Sequence, residues 1–302
     1  MESGRINSIL FVKVSPLAKQ DHERLQQLVA DLVRDDPTLV ASAIDGGMIV
    51  SGEDEERLDA VSERLRDSQL ASVGPVRVRY RETIRQPAEA EGKYIRQTAG
   101  RGNYAHCKIR VEPSQSEFAF STEIQGGVVP AEFFASIENG IREASKGGIL
   151  TGSEMNGFRV TLIDGSYHEI DSNEMAFSIA ASLAFKEAAR KARPAVLEPI
   201  MSVCVTVPKQ FASRITGEIA RRRGIVLDAD EFEDSCLVSA LLPLAETLRS
   251  SRYGRFAHPM RFAGYDIKAS EGGNAGPDAA VPVAKPHLPK GGSSSATADP
   301  EG

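Results

Sequence analysis

The chain has 302 residues, 41% of them hydrophobic, a formal net charge of −6 and three cysteines. That length can fill more than one core and implies two or three domains, while three distant cysteines without CxxC spacing exclude a disulfide framework and a structural zinc site. No run of eighteen apolar residues and no basic-then-apolar leader are present, so a cytoplasmic protein is expected, with no membrane association and with nucleic-acid contacts confined to local clusters.

Residues 7–14, NSILFVKV, read as a strand that Pro16 ends. Apolar Leu25, Leu28, Val29, Leu32 and Val33 then recur at helical spacing between charges. TLVASAIDGGMIVSG reads as two short strands about an Asp-Gly-Gly turn, EDEERLDAVSERLRD as a second amphipathic helix and VGPVRVRYRETI as one alternating strand. This β-α-β-β-α-β order, over 1–83, is that of a ferredoxin-like unit.

Residues 84–197 differ. NYAHCKIRVEP and FAFSTEIQGG read as strands, and PAEFFASIENGIREASKGG as a helix opened by Pro130 and closed by Gly147. FRVTLIDGSYHEID is a strand running into a turn, and a long alanine-rich helix follows, with Ser172 as its expected N-cap. Residues 198–268 return to the ferredoxin-like order: the strand EPIMSVCVTVP, a helix stopped at Gly224, a hairpin, the short helix LAETLRSSRYG and a last strand. Residues 269–302, rich in Gly, Ala, Pro and Ser, have the composition of a disordered tail. The fold class expected is α+β, two ferredoxin-like domains flanking a different α/β domain.

Two clusters carry chemistry. KYIRQTAGRGNYAH, Lys93 to His106, is too polar for core and too aromatic for an idle loop. Arg101 can pair with a phosphate or stack on a base, Tyr104, Tyr167 and His168 offer ring faces, and Gly100 and Gly102 permit close backbone approach. A hairpin turn with both tyrosines packed on the sheet explains the same residues. No GxxxxGK[ST] phosphate loop occurs; TAGRGNYAHCK has glycines, but no strand is expected to feed it and no Lys-Ser/Thr opens a helix. The second cluster is Arg221, Arg222 and Arg223 at a helix end, where cations also suit the helix dipole. Nucleophile sets from His106 with Cys107, or Ser172 with His168 and Asp171, are disfavoured: strand neighbours point to opposite faces, and Ser172 suits a cap.

Several blocks, in order, resemble elongation factor G, the bacterial ribosomal translocase: YRETI, EGKYIRQTAGRGNYAHCKIRVEP, IENGIREASKGGIL, LIDGSYHEIDSNEMAFSIAASLAFKEAARKARPAVLEPIMSV, GEIARRRG and PLAE. The resemblance covers roughly residues 7–268 and implies that factor's third, fourth and fifth domains, with a ribosomal-protein-S5-like middle domain projecting as an arm. The family's GTPase domain and the β-barrel domain after it have no counterpart in this reading. SGEDEERLD, Ser51 to Asp59, stands where the family has SGMGELHLE, and PLAE runs into TLRSSRYGR without the family's MFGYAT-like turn. Ala99 and Ala105 stand where the family more often has glycine.

The resemblance places TAGRGNY and DGSYHEIDS at the tip of the arm, so that Gly100, Arg101, Gly102, Asn103, Tyr104, Tyr167, His168 and Asp171 face tRNA and mRNA in the decoding region. It sets Arg221, Arg222 and Arg223 against the ribosomal stalk base, where protein and large-subunit RNA meet. The expected function is a non-enzymatic translation factor bound at the ribosomal factor site, with no cofactor and no metal. The alternatives are one half of a split translocase, whose GTP would be held by a separate GTPase chain, and a degenerate paralogue serving as a protein-interaction module.

Overall fold

The computed structural model describes residues 8–52, 54–97, 102–247 and 260–268. Gly100, Arg101, the tail at 269–302 and most of LAETLRSSRYG lie outside the described residues.

In the first unit the alternation of NSILFVKV becomes β1 (Leu10–Pro16), with Leu10, Val12 and Val14 buried. α1 (His22–Asp35) buries Leu25, Val29 and Leu32, the spacing that keeps one helical face on the core. β2 (Val40–Ile44) and β3 (Gly47–Gly52) flank the expected turn, where Gly46 takes φ +74°. α2 (Glu55–Asp67) is opened by Asp54, whose carboxylate accepts from the Glu56 amide at 2.9 Å.

The single strand expected over VGPVRVRYRETI is three. β4 (Ala71–Val73) and β5 (Arg77–Val78) both pair with β1, interrupted at Pro75, which has no N–H for the ladder. The sheet runs β2-β3-β1-β4. β6 (Arg81–Ile84) leaves this unit and pairs antiparallel with the start of β11 (Pro194–Pro208), from Arg81 opposite Leu197 to Ile84 opposite Pro194.

The middle unit has β7 (Ala88–Gln97), β8 (Gly102–Pro113), β9 (Phe118–Thr122), α3 (Phe134–Lys146), β10 (Phe158–Ser166) and α4 (Glu174–Lys191). Its sheet runs β7-β8-β10-β9, with only the β9–β10 pair parallel. β7 contradicts the expectation that no strand feeds TAGRGNYAHCK. Three of its inward positions, Ala88, Ala90 and Gly92, are small and only Tyr94 is large, so the strand carries little apolar signal. The reason is packing: a Cβ on Gly92 would strike the Ala180 carbonyl and lie 2.6 Å from the Ala184 nitrogen of α4. Alanines 176, 180, 181, 184, 188 and 189 bury one side of α4 around Phe158, Phe177 and Phe185.

The last unit continues β11 through α5 (Ala212–Arg221), β12 (Ile225–Glu231), β13 (Ser235–Pro243), the single turn α6 (Leu244–Thr247) and β14 (Arg261–Ile267). Its sheet order is β12-β13-β11-β14. β11 runs unbroken across residues 197 and 198, so the expected boundary there falls inside one strand of the last unit's sheet. The middle unit has its own core. The first and last units share one continuous apolar cluster, from Val12, Val29 and Leu58 to Val203, Ile219 and Val238. The fold is mixed α+β, two ferredoxin-like units around a distinct middle unit.

Candidate nucleic-acid interface

The end of the middle unit is built where β7 turns into β8 and where β10 hands over to α4. Residues of the second loop tie themselves to the first. The Asp171 carboxylate accepts from the Gly102 amide at 3.1 Å, and its carbonyl accepts from the Tyr104 amide at 2.8 Å. A side chain at 102 would press on that carboxylate at 3.0 Å, so glycine is the residue that lets the loops meet. The Ser172 hydroxyl donates to the Tyr104 carbonyl at 2.8 Å and accepts from the His168 amide at 2.9 Å.

Ser172 therefore joins loops and does not cap α4. The cap is Asn173, whose side-chain oxygen accepts from the Ala176 amide at 2.9 Å while its nitrogen donates to Asn103 at 2.7 Å. One asparagine satisfies a helix terminus and a cross-loop contact at once, its oxygen accepting while its nitrogen donates.

These bonds consume peptide groups and small polar side chains and leave rings outside. Tyr167 is 41% exposed, and His168 projects with Asp171 Oδ2 3.7 Å from its Nδ1. The same nitrogen lies 3.3 Å from the Ile170 amide, which can donate to it. Tyr104 is partly buried, its hydroxyl 2.7 Å from Ser166 Oγ; Ser166 also touches His106, whose Nε2 lies 2.9 Å from Glu91. Of the two tyrosines, Tyr167 presents its ring and Tyr104 is braced against the sheet.

Residues not singled out in the sequence complete the end. Arg96 is exposed, opposite Asn103 in the β7–β8 register, and Ile95 and Ile170 are 63% and 74% exposed. Arg96 sits inside KYIRQTAGRG, so its signal was present; the apolar pair carried none, because exposure is a property of the fold.

The open face of the middle sheet is self-neutralised. Glu89 pairs with Lys108 at 3.2 Å and Arg110 at 3.0 Å, Arg110 reaches Glu123 at 3.4 Å, and Glu91 pairs with Lys93 at 3.7 Å. Hydrogen bonds from Arg110 and then Lys108 hold the Glu89 carboxyl below its ordinary range. With these cations occupied, Arg96 is the positive charge left nearest the end of the unit among the described residues.

The three arginines of the last unit have three fates. Arg221 is 82% exposed, with Glu218 at 3.5 Å. Arg222 is 11% exposed and folds inward, donating to Glu218 at 3.0 Å and to the Glu246 carbonyl at 2.7 Å. Arg223 takes φ +59° and grips the buried Glu198 with two nitrogens, at 2.5 and 3.1 Å. Consecutive residues at a helix end diverge, and two of these three are committed within the chain.

Cys107 is fully buried and burial pushes its thiol up to about 12, while His106 points to the other face of β8 toward Glu91. Among the described residues no cluster of His, Cys, Asp or Glu is placed to hold a metal ion, and no helix is long and apolar enough to cross a membrane.

Comparison with known proteins agrees with this architecture. The family model for elongation factor G, domain IV, matches residues 76–193, and the model for the elongation factor G C-terminus matches residues 195–266. Elongation factor G of Petrotoga mobilis is 42% identical over 278 residues, covering 85% of this chain and 39% of the relative's length. A crystal structure from Thermus thermophilus superposes with a TM-score of 0.67 at 35% identity, over 85% of this chain and 40% of that one. The chain thus spans about two fifths of each relative's length. With adjoining models matched across both the middle and the last unit, the chain belongs to the elongation factor G family, and its described residues correspond to that factor's C-terminal domains.

Proposed function

We propose that these domains act in the cytoplasm as an elongation-factor-G-like translation factor, bound at the ribosomal factor site with the middle unit directed toward the decoding region. The observation that carries this reading is the construction of the unit's end. Gly102, Asn103, Tyr104, Tyr167, His168 and Asp171 come together there, bonded through peptides so that rings and Arg96 remain outward. Exposed rings and a cation at the end of the unit suit stacking and phosphate contact with single-stranded RNA or a tRNA loop. Of Arg221, Arg222 and Arg223, Arg221 is the one that extends into solvent, where it can meet the stalk base.

The 302 residues contain no GxxxxGK[ST] phosphate loop, and nucleotide chemistry is not assigned to them. Co-sedimentation with ribosomes at graded salt tests binding, and a tRNA-movement assay with tip variants tests the direction of the arm. Calorimetry with GTP tests the rest. Failure to sediment at low salt would return the chain to a protein-interaction module, and micromolar GTP affinity without a second chain would overturn the non-enzymatic reading.

A further inference from the structure

The largest buried charge outside the candidate interface is Glu82, whose residue is 0% exposed. No cation among the described residues is paired with it. Its carboxylate instead accepts five hydrogen bonds from one loop of the middle unit. Oε2 takes the amides of Ile149 and Leu150 at 2.6 and 2.8 Å, and Oε1 takes the amide and hydroxyl of Thr151 at 2.7 and 2.9 Å and the Ser153 amide at 3.2 Å. The backbone of the same residue is engaged too: its amide donates to the Glu154 carbonyl at 2.9 Å and its carbonyl accepts from Asn156 at 2.8 Å.

Glu82 stands on β6, which is hydrogen-bonded to β11 and so belongs to the sheet of the last unit. The loop it grips joins α3 to β10 in the middle unit. The chain passes between these two units twice, after Ile84 and before Pro194, and the two passages run side by side: the amides of Arg85 and Gln86 both donate to the Ala192 carbonyl. Two adjacent passages define a line about which the middle unit can rock, as a hinge does. A third attachment away from that line removes the freedom. Glu82 supplies it.

We infer that Glu82 is a positioning residue, a latch that fixes the direction of the middle unit relative to the last unit, beyond any contribution to folding. A carboxylate suits the task because every partner is a donor, and both oxygens are needed to collect five of them. This inference concerns the free protein, so its failure leaves the ribosomal proposal standing.

The test is Glu82→Gln in the full 302-residue chain. Glutamine keeps the volume but turns one acceptor oxygen into a donor facing amide donors. Spin labels on Glu143→Cys in α3 and Asp230→Cys in β12, in a Cys204→Ser background, report the distance between units by electron–electron resonance; Cys107 and Cys236 are buried. Glu82→Gln is expected to broaden the distance distribution and shift its mean at temperatures where circular dichroism shows both proteins folded. Thr151→Val, which removes one donor and leaves the carboxylate, is expected to broaden it less in the same sense, and keeps the test decisive should Glu82→Gln fail to fold. A distribution unchanged in the folded variants would reduce Glu82 to a structural residue and overturn the inference.

Discussion

Gly148 and Glu82 are in contact without room for another atom: a Cβ built on Gly148 would lie 2.5 Å from Glu82 Oε1 and would strike the Ser153 carbonyl. Gly148 also takes φ +56°, a conformation that L side chains rarely adopt. Gly148→Ala therefore meets steric and conformational cost together, and is expected to destabilise the protein by about 3 kcal/mol or more. Chemical denaturation measures this, and a loss below about 1 kcal/mol would show that the loop shifts freely.

The charge on Glu82 gives a pH signature. Burial pushes its carboxyl up, but the amides of Ile149, Leu150 and Thr151 and the Thr151 hydroxyl outweigh burial and hold it below the ordinary 4.5. A depressed folded-state value adds stability that is present above the unfolded value and lost as pH falls through the folded one. At neutral pH Glu82→Gln is expected to cost about 2–4 kcal/mol. The gap between the two proteins should narrow below pH 4.5. Denaturation midpoints at neutral and acid pH check it; a constant gap would show that the carboxylate is not held as an anion.

At the end of the arm, stability and function are expected to separate. His168→Ala and Arg96→Ala remove exposed groups and should change stability by no more than about 0.5 kcal/mol. Tyr104→Phe removes the hydroxyl bond to Ser166 and should cost about 1 kcal/mol. His168→Ala and Arg96→Ala should slow tRNA movement while leaving initial ribosome binding in place. Loss of binding in parallel with loss of movement would contradict this.

The arginines of the last unit should divide. Arg221→Ala is expected to melt like the parent and to lower the salt dependence of ribosome binding by about one charge. Arg223→Ala strands the buried carboxylate of Glu198 and should cost about 3 kcal/mol, with Arg222→Ala between the two. Equal melting curves for all three would refute the internal contacts.

The thiols offer a simple check of the core. Cys204 is exposed, whereas Cys107 and Cys236 are buried. A maleimide should label the folded protein once, at Cys204, and three times after denaturation. Early labelling at Cys107, whose thiol burial holds at about 12, would mean that β8 opens.

Local pattern determined much of this chain. Period-two alternation marked β1, helical spacing of Leu25, Val29 and Leu32 marked α1, and the Asp-Gly-Gly turn lies where Gly46 takes a positive φ. The loops around Tyr104 and Tyr167 were visible as aromatic, glycine-bearing stretches. These features are legible because each depends on residues within a few positions of one another. The tertiary structure decided the rest. β7 was missed because its inward residues answer to the backbone of α4, about ninety residues on, and small residues leave no hydrophobic period. VGPVRVRYRETI read as one strand, yet β6 pairs with a partner more than a hundred residues away, which no local period encodes. Arg221, Arg222 and Arg223 are identical as letters; the turn at a helix end sends one to solvent and two to carboxylates and carbonyls from distant segments. Glu82 lay in plain view within YRETI, but its role depends on where a loop some seventy residues later brings four amides, and that is a fact of three dimensions.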